Sequence, residues 1–331
     1  MTEQKQGKFS SPAIAIITGI KDLFKENVKV GEIRDDDRLN NKNVLITGAS
    51  SGLGYAVAQN LAERGANLYM ACRSGIPEMG DKIKKITGSK TVWMFSVDLS
   101  DLYSIQAMVN QIIKKRIKFD IIICNAAIVP KSSRKTKQGL EEMFVVNYLA
   151  KYVLIRLLLT HECIHLTRTA KPRFIFVSSE SHRDPKGFDW AGLGQYQNYG
   201  MGKTVELYGY YKLLLTSFAH ELSRRLNSNN SPNVSVFTLC PGPVNTRIAR
   251  EAPYLLKPLL KLIFMIFFRS PRKAAEPVIY FATSHDVDNK SFDYLHIMTR
   301  KEIDPKASNH ENGRRLWDNT ELLLRDLQIN I

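Results

Sequence analysis

Asn43-Val44-Leu45-Ile46-Thr47-Gly48-Ala49-Ser50-Ser51-Gly52-Leu53-Gly54 reads as a strand, a tight turn and the first residues of a helix. Gly48, Gly52 and Gly54 fall in a G-x3-G-x-G spacing. Glycine permits the turn, and its missing side chain lets backbone amides approach a pyrophosphate. A helix starting near Gly52 would aim its positive N-terminal end at that anion. A glycine-rich turn alone is weak evidence. The strand before it and the helix after it make a nucleotide cradle the better reading, with Gly48, Ser50, Ser51, Gly52, Leu53 and Gly54 as expected cofactor contacts.

Downstream, the pattern repeats. Apolar or β-branched runs at 44–47, 67–71, 92–97, 120–124, 173–177, 234–239 and 292–297 are expected strands. Helical stretches are expected near 53–64, 101–116, 139–160 and 205–227. Such alternation predicts an α/β fold with a parallel sheet and helices on both faces. In that architecture ligands bind outside the carboxyl ends of the strands, near the topological switch point.

The second expected strand runs out at Ala71-Cys72-Arg73-Ser74. An acidic residue there would bind a ribose 2′-hydroxyl, whereas the Arg73 guanidinium suits a 2′-phosphate. NADP(H) is therefore favoured, although backbone geometry alone still admits NAD(H). Asp98, followed by Leu99, ends the third strand, where its carboxylate can accept the adenine amino group. Asn125-Ala126-Ala127 follows the fourth, with small side chains that leave space beside the nucleotide. Each segment alone is an ordinary turn; their order gives the reading its force.

Tyr208 and Lys212 stand four apart on an expected helix and project from one face. A phenol titrates near ~10, too high for a ready base at neutral pH. A nearby ammonium favours the phenolate, so the expectation is a Tyr208 value brought toward the working range by Lys212. Tyr208 would then pass a proton to or from a substrate oxygen as hydride is transferred, and Lys212 would also hold the nicotinamide ribose. Ser179, preferred over Ser178, would polarise that oxygen. Asn147, a polar amide in an apolar helical stretch, needs a partner. Either a water relay to Lys212 or a structural hydrogen bond would supply one. Pro241-Gly242-Pro243-Val244-Asn245-Thr246 follows the sixth strand, and Pro241, Gly242, Val244 and Thr246 are expected to face the nicotinamide.

Composition bounds the rest. The 331 residues, 44% hydrophobic, can bury a substantial core in one large α/β domain. The four cysteines are scattered, without CxxC or Cys/His clustering, which argues against a disulfide scaffold or a metal site. The net charge of +15 lies in short clusters outside any nucleic-acid-binding signature, so no nucleic-acid partner is expected. Two apolar runs, 12–20 and 254–268, are respectively too short and too interrupted by Lys257, Pro258 and Lys261 to read as membrane spans. The second suits a greasy lid over substrate or a membrane-facing helix. It equally suits packing against the body or a homo-oligomer interface. The expectation is a cytoplasmic protein, with peripheral membrane contact left open.

Taken together, the TGASSGLG run, Asp98-Leu99, the NAA turn, Asn147, Ser179, Tyr208-x3-Lys212 and the PGPVNT run resemble the short-chain dehydrogenase/reductase family over roughly residues 42–300. The resemblance implies a doubly wound Rossmann fold with a seven-stranded, mainly parallel sheet, a nicotinamide cofactor and an Asn147-Ser179-Tyr208-Lys212 catalytic set. ACRS, VSSESH and HELSRRL are similar to the retinol dehydrogenase-like branch, which implies a lipophilic alcohol or carbonyl of retinoid, steroid or long-chain lipid type. Residues 1–40 and 301–331 are then extensions flanking a 41–300 domain. Two departures stand out. The Ser179–Tyr208 gap is 29 residues, and Tyr211 replaces the small residue that usually precedes the lysine. Tyr211 would either reshape the pocket floor or pack away from substrate. A catalytically silent NADP(H)-binding protein and a sugar-nucleotide epimerase or dehydratase are the alternatives.

Overall fold

The apolar runs assemble into one sheet in a computed structural model, which describes residues 30–166, 171–227, 234–243 and 269–331. In chain order the elements are β1 (Asn43–Thr47), α1 (Gly52–Glu63), β2 (Asn67–Cys72), α2 (Glu78–Thr87), β3 (Val92–Ser96), α3 (Leu102–Lys114) and β4 (Ile121–Cys124). Then follow α4 (Glu142–Thr160), β5 (Arg173–Val177), α5 (Met201–Leu226), β6 (Ser235–Cys240), α6 (Pro271–Thr283), β7 (Phe292–His296), β8 (Thr299–Arg300), α7 (Pro305–Ser308) and α8 (His310–Asp326).

The sheet order is β3-β2-β1-β4-β5-β6-β7-β8. Among the described residues β1 to β7 are parallel, and β8 pairs antiparallel on β7. The expected seven strands are all present; the count rises to eight because the chain doubles back at Ile297, in the left-handed region at φ 60°. The two residues of β8 are too few to leave a pattern in the sequence. After β3 the chain crosses to the far side of β1 to lay down β4. The switch point therefore lies between the carboxyl ends of β1 and β4, where the Gly48 turn and the Asn125 turn emerge.

Continuous apolar strands require cover on both faces, and two cores provide it. On one face Val57, Leu61, Ile83, Val278 and Phe281 bring α1, α2 and α6 onto the sheet. On the other, Ile105, Met108, Leu154, Leu214 and Phe218 bring α3, α4 and α5. Beyond α4 and α5 lies α8, whose Trp317 ring sits 5.1 Å from that of Tyr152 and 5.9 Å from that of Phe218. By length and composition α4 could cross a membrane, yet its side chains are mostly buried in this core. It is an interior helix of the described fold. The four cysteines are free and buried.

Within α4, residues Val145–Leu149 form a π turn. Such a widening rotates side chains out of the ordinary helical register and recurs at functional sites. It carries Asn147.

Candidate active site

The cradle is built from close backbone approaches. Gly48 has φ 68°, and a Cβ there would lie 2.8 Å from Ala126. At Gly54 a Cβ would fall 2.2 Å from the Gly48 carbonyl oxygen and 2.4 Å from Asn125 Nδ2. The Asn125 amide explains the second figure: Nδ2 donates to the carbonyls of Thr47 at 3.0 Å and Gly48 at 3.2 Å. Thr47 Oγ1 returns the tie by accepting from the amides of Asn125 at 3.1 Å and Ala126 at 3.3 Å. Asn125 thus pins the two turns together. Ser51 occupies the N-cap position of α1 without a side-chain capping bond and, with Gly52, is exposed, leaving the helix N-terminus open to an anion. The expected contacts Gly48, Ser50, Ser51, Gly52, Leu53, Gly54, Asn125 and Ala126 are brought together.

Arg73 lies exposed just past the end of β2. Asp98 holds its own turn through Oδ1, which accepts from Ser100 N at 2.9 Å and Ser100 Oγ at 2.7 Å; Leu99 packs against the core. Pro241 is buried, and Gly242 has φ 76° with a Cβ position 3.1 Å from Ile297. Val244 and Thr246 lie outside the described residues, as do the 12–20 and 254–268 runs.

β5 delivers two serines with different fates. Ser178 is buried and shares a 2.7 Å hydrogen bond with Thr216. Ser179 Oγ accepts from Ser181 Oγ at 2.9 Å, which leaves its own proton to act on the neighbouring Tyr208 phenol. His182 fixes the backbone of Ser179: its Nδ1 lies 2.7 Å from the Ser179 carbonyl while Nε2 accepts from Asp304 N at 3.2 Å. Burial pushes His182 down to about 4, so it serves as a neutral imidazole with the proton on Nδ1.

Lys212, also buried, donates to the Val177 carbonyl at 2.7 Å and stands 5.4 Å from the centre of the Tyr208 ring. Its geometry beside Tyr208 follows the four-residue spacing, but the electrostatics depart from the expectation. Burial raises the Tyr208 phenol above its ordinary value, the neighbouring Cys240 thiol adds to the rise, and the Ser179 hydroxyl opposes it. Burial also lowers Lys212 to about 8. Desolvation disfavours both charged forms, and it is the largest influence on each.

Asn147 is engaged with backbone. Its Oδ1 accepts from Ile128 N and its Nδ2 donates to Ile128 O, each at 2.9 Å. Its amide therefore ties α4 to the segment leaving the Asn125-Ala126-Ala127 turn. Tyr211 packs away from the site: its ring lies 5.6 Å from Phe144, and its hydroxyl reaches Glu141, which also accepts from Tyr199 at 2.7 Å. Glu180, beside Ser179, went unnoticed in the sequence. It accepts from Tyr294 at 2.6 Å and pairs with Arg183 at 3.3 Å and Lys301 at 3.4 Å. Burial opposes its charge, but His296, Tyr294, Arg183 and Lys301 together hold it down to about 2. Its place in the VSSESH stretch was the only available signal.

A family model described as short chain dehydrogenase matches residues 42–191. Human retinol dehydrogenase 14 is 32% identical over 308 residues, covering 88% of each chain. The chain belongs to the short-chain dehydrogenase family. Mouse retinol dehydrogenase 13 is 31% identical to this short-chain dehydrogenase and covers 94% of it, and 92% of its own length. Among solved structures, an uncharacterised protein from Mycobacterium paratuberculosis superposes with a TM-score of 0.65 at 25% identity, covering 87% of this chain and 95% of that one. The protein is an oxidoreductase acting on CH–OH or C=O groups with a nicotinamide cofactor. The cradle fits such a cofactor: backbone and side-chain atoms crowd the missing Cβ of Gly54, and the start of α1 has no side-chain cap and is exposed at Ser51 and Gly52.

Proposed function

We propose that this short-chain dehydrogenase transfers hydride between NADP(H) and a lipophilic alcohol or carbonyl of retinoid, steroid or long-chain lipid type. One observation carries the reading: Tyr208, Ser179 and Lys212 converge at the carboxyl end of the sheet that also holds the glycine cradle, with Lys212 Nζ 5.4 Å from the centre of the Tyr208 ring. The bound nicotinamide supplies or accepts the hydride. Gly48, Ser51, Gly52 and Gly54 would seat its phosphates, Asp98 the adenine, and Arg73 a 2′-phosphate. Relatives named retinol dehydrogenase 12, 13 and 14 support a lipophilic substrate.

The raised Tyr208 phenol is in its acid form at neutral pH, which suits proton donation to a carbonyl oxygen in reduction. Ser179 would hold that oxygen through its hydroxyl. Oxidation needs the phenolate, and the Lys212 ammonium is the group that would stabilise it.

Absorbance of NADPH at its nicotinamide band, followed with purified protein against retinal, steroid ketones and long-chain aldehydes, tests the reading. Tyr208→Phe should lower turnover by about 3 orders of magnitude while cofactor affinity stays within about threefold. Turnover undiminished in that variant would remove Tyr208 from the chemistry.

A further inference from the structure

Lys151 is the second fully enclosed lysine beside the site, 2% exposed against 1% for Lys212. It lies on α4 four residues after Asn147, and its Nζ donates to the Val146 carbonyl inside the π turn. The groups that act electrostatically on it are the Lys212 ammonium from α5 and the Cys124 thiol at the end of β4. It thus stands behind the two segments that hold Asn147 and Lys212.

We propose that Lys151 is a positioning residue of the hydride-transfer site: its Nζ clamps the π turn through the Val146 carbonyl and thereby sets the seat of Asn147 against Ile128. The inference deepens the function proposed above and rests on it. A π turn takes carbonyls off the ordinary four-residue ladder, and a buried carbonyl needs a donor. Lys151 supplies one from its own helix. From Val146 the path is short: Asn147 grips both backbone groups of Ile128, and Ile128 follows the turn that Asn125 pins to the glycine cradle. Loosening the π turn would therefore loosen the floor between cofactor and Tyr208.

A purely structural role is the poorer account. Enclosing a lysine costs stability, and a methionine would fill similar volume without a group to desolvate. Burial, and then Lys212, hold Lys151 well below the usual amine range. The charge is accordingly left on Lys212, where the proposed chemistry requires it. A residue that weakens the fold yet sits against the reacting groups is expected where function fixes its identity.

The test compares wild type, Lys151→Met, Lys151→Gln and Tyr208→Phe, using NADPH and whichever aldehyde the unaltered enzyme turns over fastest. Cofactor affinity is read by quenching of tryptophan fluorescence and stability by urea unfolding. Lys151→Met should bind NADPH within about twofold of wild type, unfold at an equal or higher urea concentration, and lose at least tenfold in kcat with KM little changed. Lys151→Gln, which keeps an uncharged N–H donor, should recover most of that loss. A Met variant whose kcat lies within twofold of wild type, while Tyr208→Phe is inactive, overturns the inference and leaves the function standing. If methionine prevents folding, the Gln variant decides: folded, cofactor-binding and more than tenfold slower, it refutes the clamp. An active Tyr208→Phe enzyme would remove the hydride-transfer reading itself, and the positioning role with it.

Discussion

At the scale of single residues, burial governs the chemistry more than proximity does. Lys212 and Tyr208 are neighbours, yet burial is what chiefly shifts the titration of each. Arg73 is the opposite case, an exposed guanidinium free to meet a phosphate. A charge-assisted contact of that kind contributes about 1.5–3 kcal/mol, or roughly 10- to 100-fold in preference. Arg73→Glu should therefore cut the NADPH-over-NADH ratio of kcat/KM by at least tenfold, measured by the same absorbance assay; an unchanged ratio would mean that the 2′-position is read elsewhere. The residues for which chemical roles are proposed were legible because their types and order are constrained together. Lys151, Glu180 and Tyr211 were not, because their meaning depends on partners. Nothing in the sequence near Tyr211 announces that its hydroxyl meets Glu141, and an apolar helical run gives no hint that its one lysine turns inward onto a π turn.

At the scale of elements, the junction of β1 and α1 shows how little slack the cradle has. The Gly48 carbonyl and the Asn125 amide, which confront the missing Cβ of Gly54, are hydrogen-bonded to each other, and the amide is held further by the Thr47 carbonyl. Gly54→Ala should cost about 1–3 kcal/mol through overpacking and lower NADPH affinity by more than tenfold, read by urea unfolding and fluorescence titration. Gly202 offers the control. It lies in the first turn of α5 with open space around its Cβ position, so Gly202→Ala should stabilise by about 0.5–1 kcal/mol. Should Gly54→Ala behave like Gly202→Ala, the close approach does not constrain the fold. Strand ends were legible to within a residue or two because a buried parallel strand must be apolar throughout. The unforeseen helices have weaker signatures. α2 spans ten residues with Ile83 as its buried aliphatic anchor. α8 is mostly charged and polar, and its apolar stripe of Leu316, Trp317 and Leu324 acquires meaning only against α4 and α5.

At the scale of the whole molecule, the C-terminal third is stitched to the site by the polar cluster around Ser179. Glu180 and His182 follow Ser179 directly, while their partners Tyr294, Lys301 and Asp304 lie more than a hundred positions later. Folding must close that separation before either group feels its native environment, which makes the cluster a reporter of global stability. The sign follows from proton counting. His182 stands at about 4 in the folded chain against 6.5 when free, so between those values the unfolded chain binds a proton that the folded chain does not. Stability then falls as pH drops through that window, by up to about 3 kcal/mol. Glu180, held at about 2 against an ordinary 4.5, begins to add to the loss as pH falls below 4.5. Above 6.5 neither group contributes a slope. Urea unfolding of wild type at pH 7.5, 6.0, 5.0 and 4.5 should show the decline. His182→Asn should start lower at pH 7.5, having lost the ties to Ser179 and Asp304, but decline less steeply. The growing positive charge of the chain acts on both proteins alike, so subtracting the curves isolates the imidazole; parallel curves would refute its assignment.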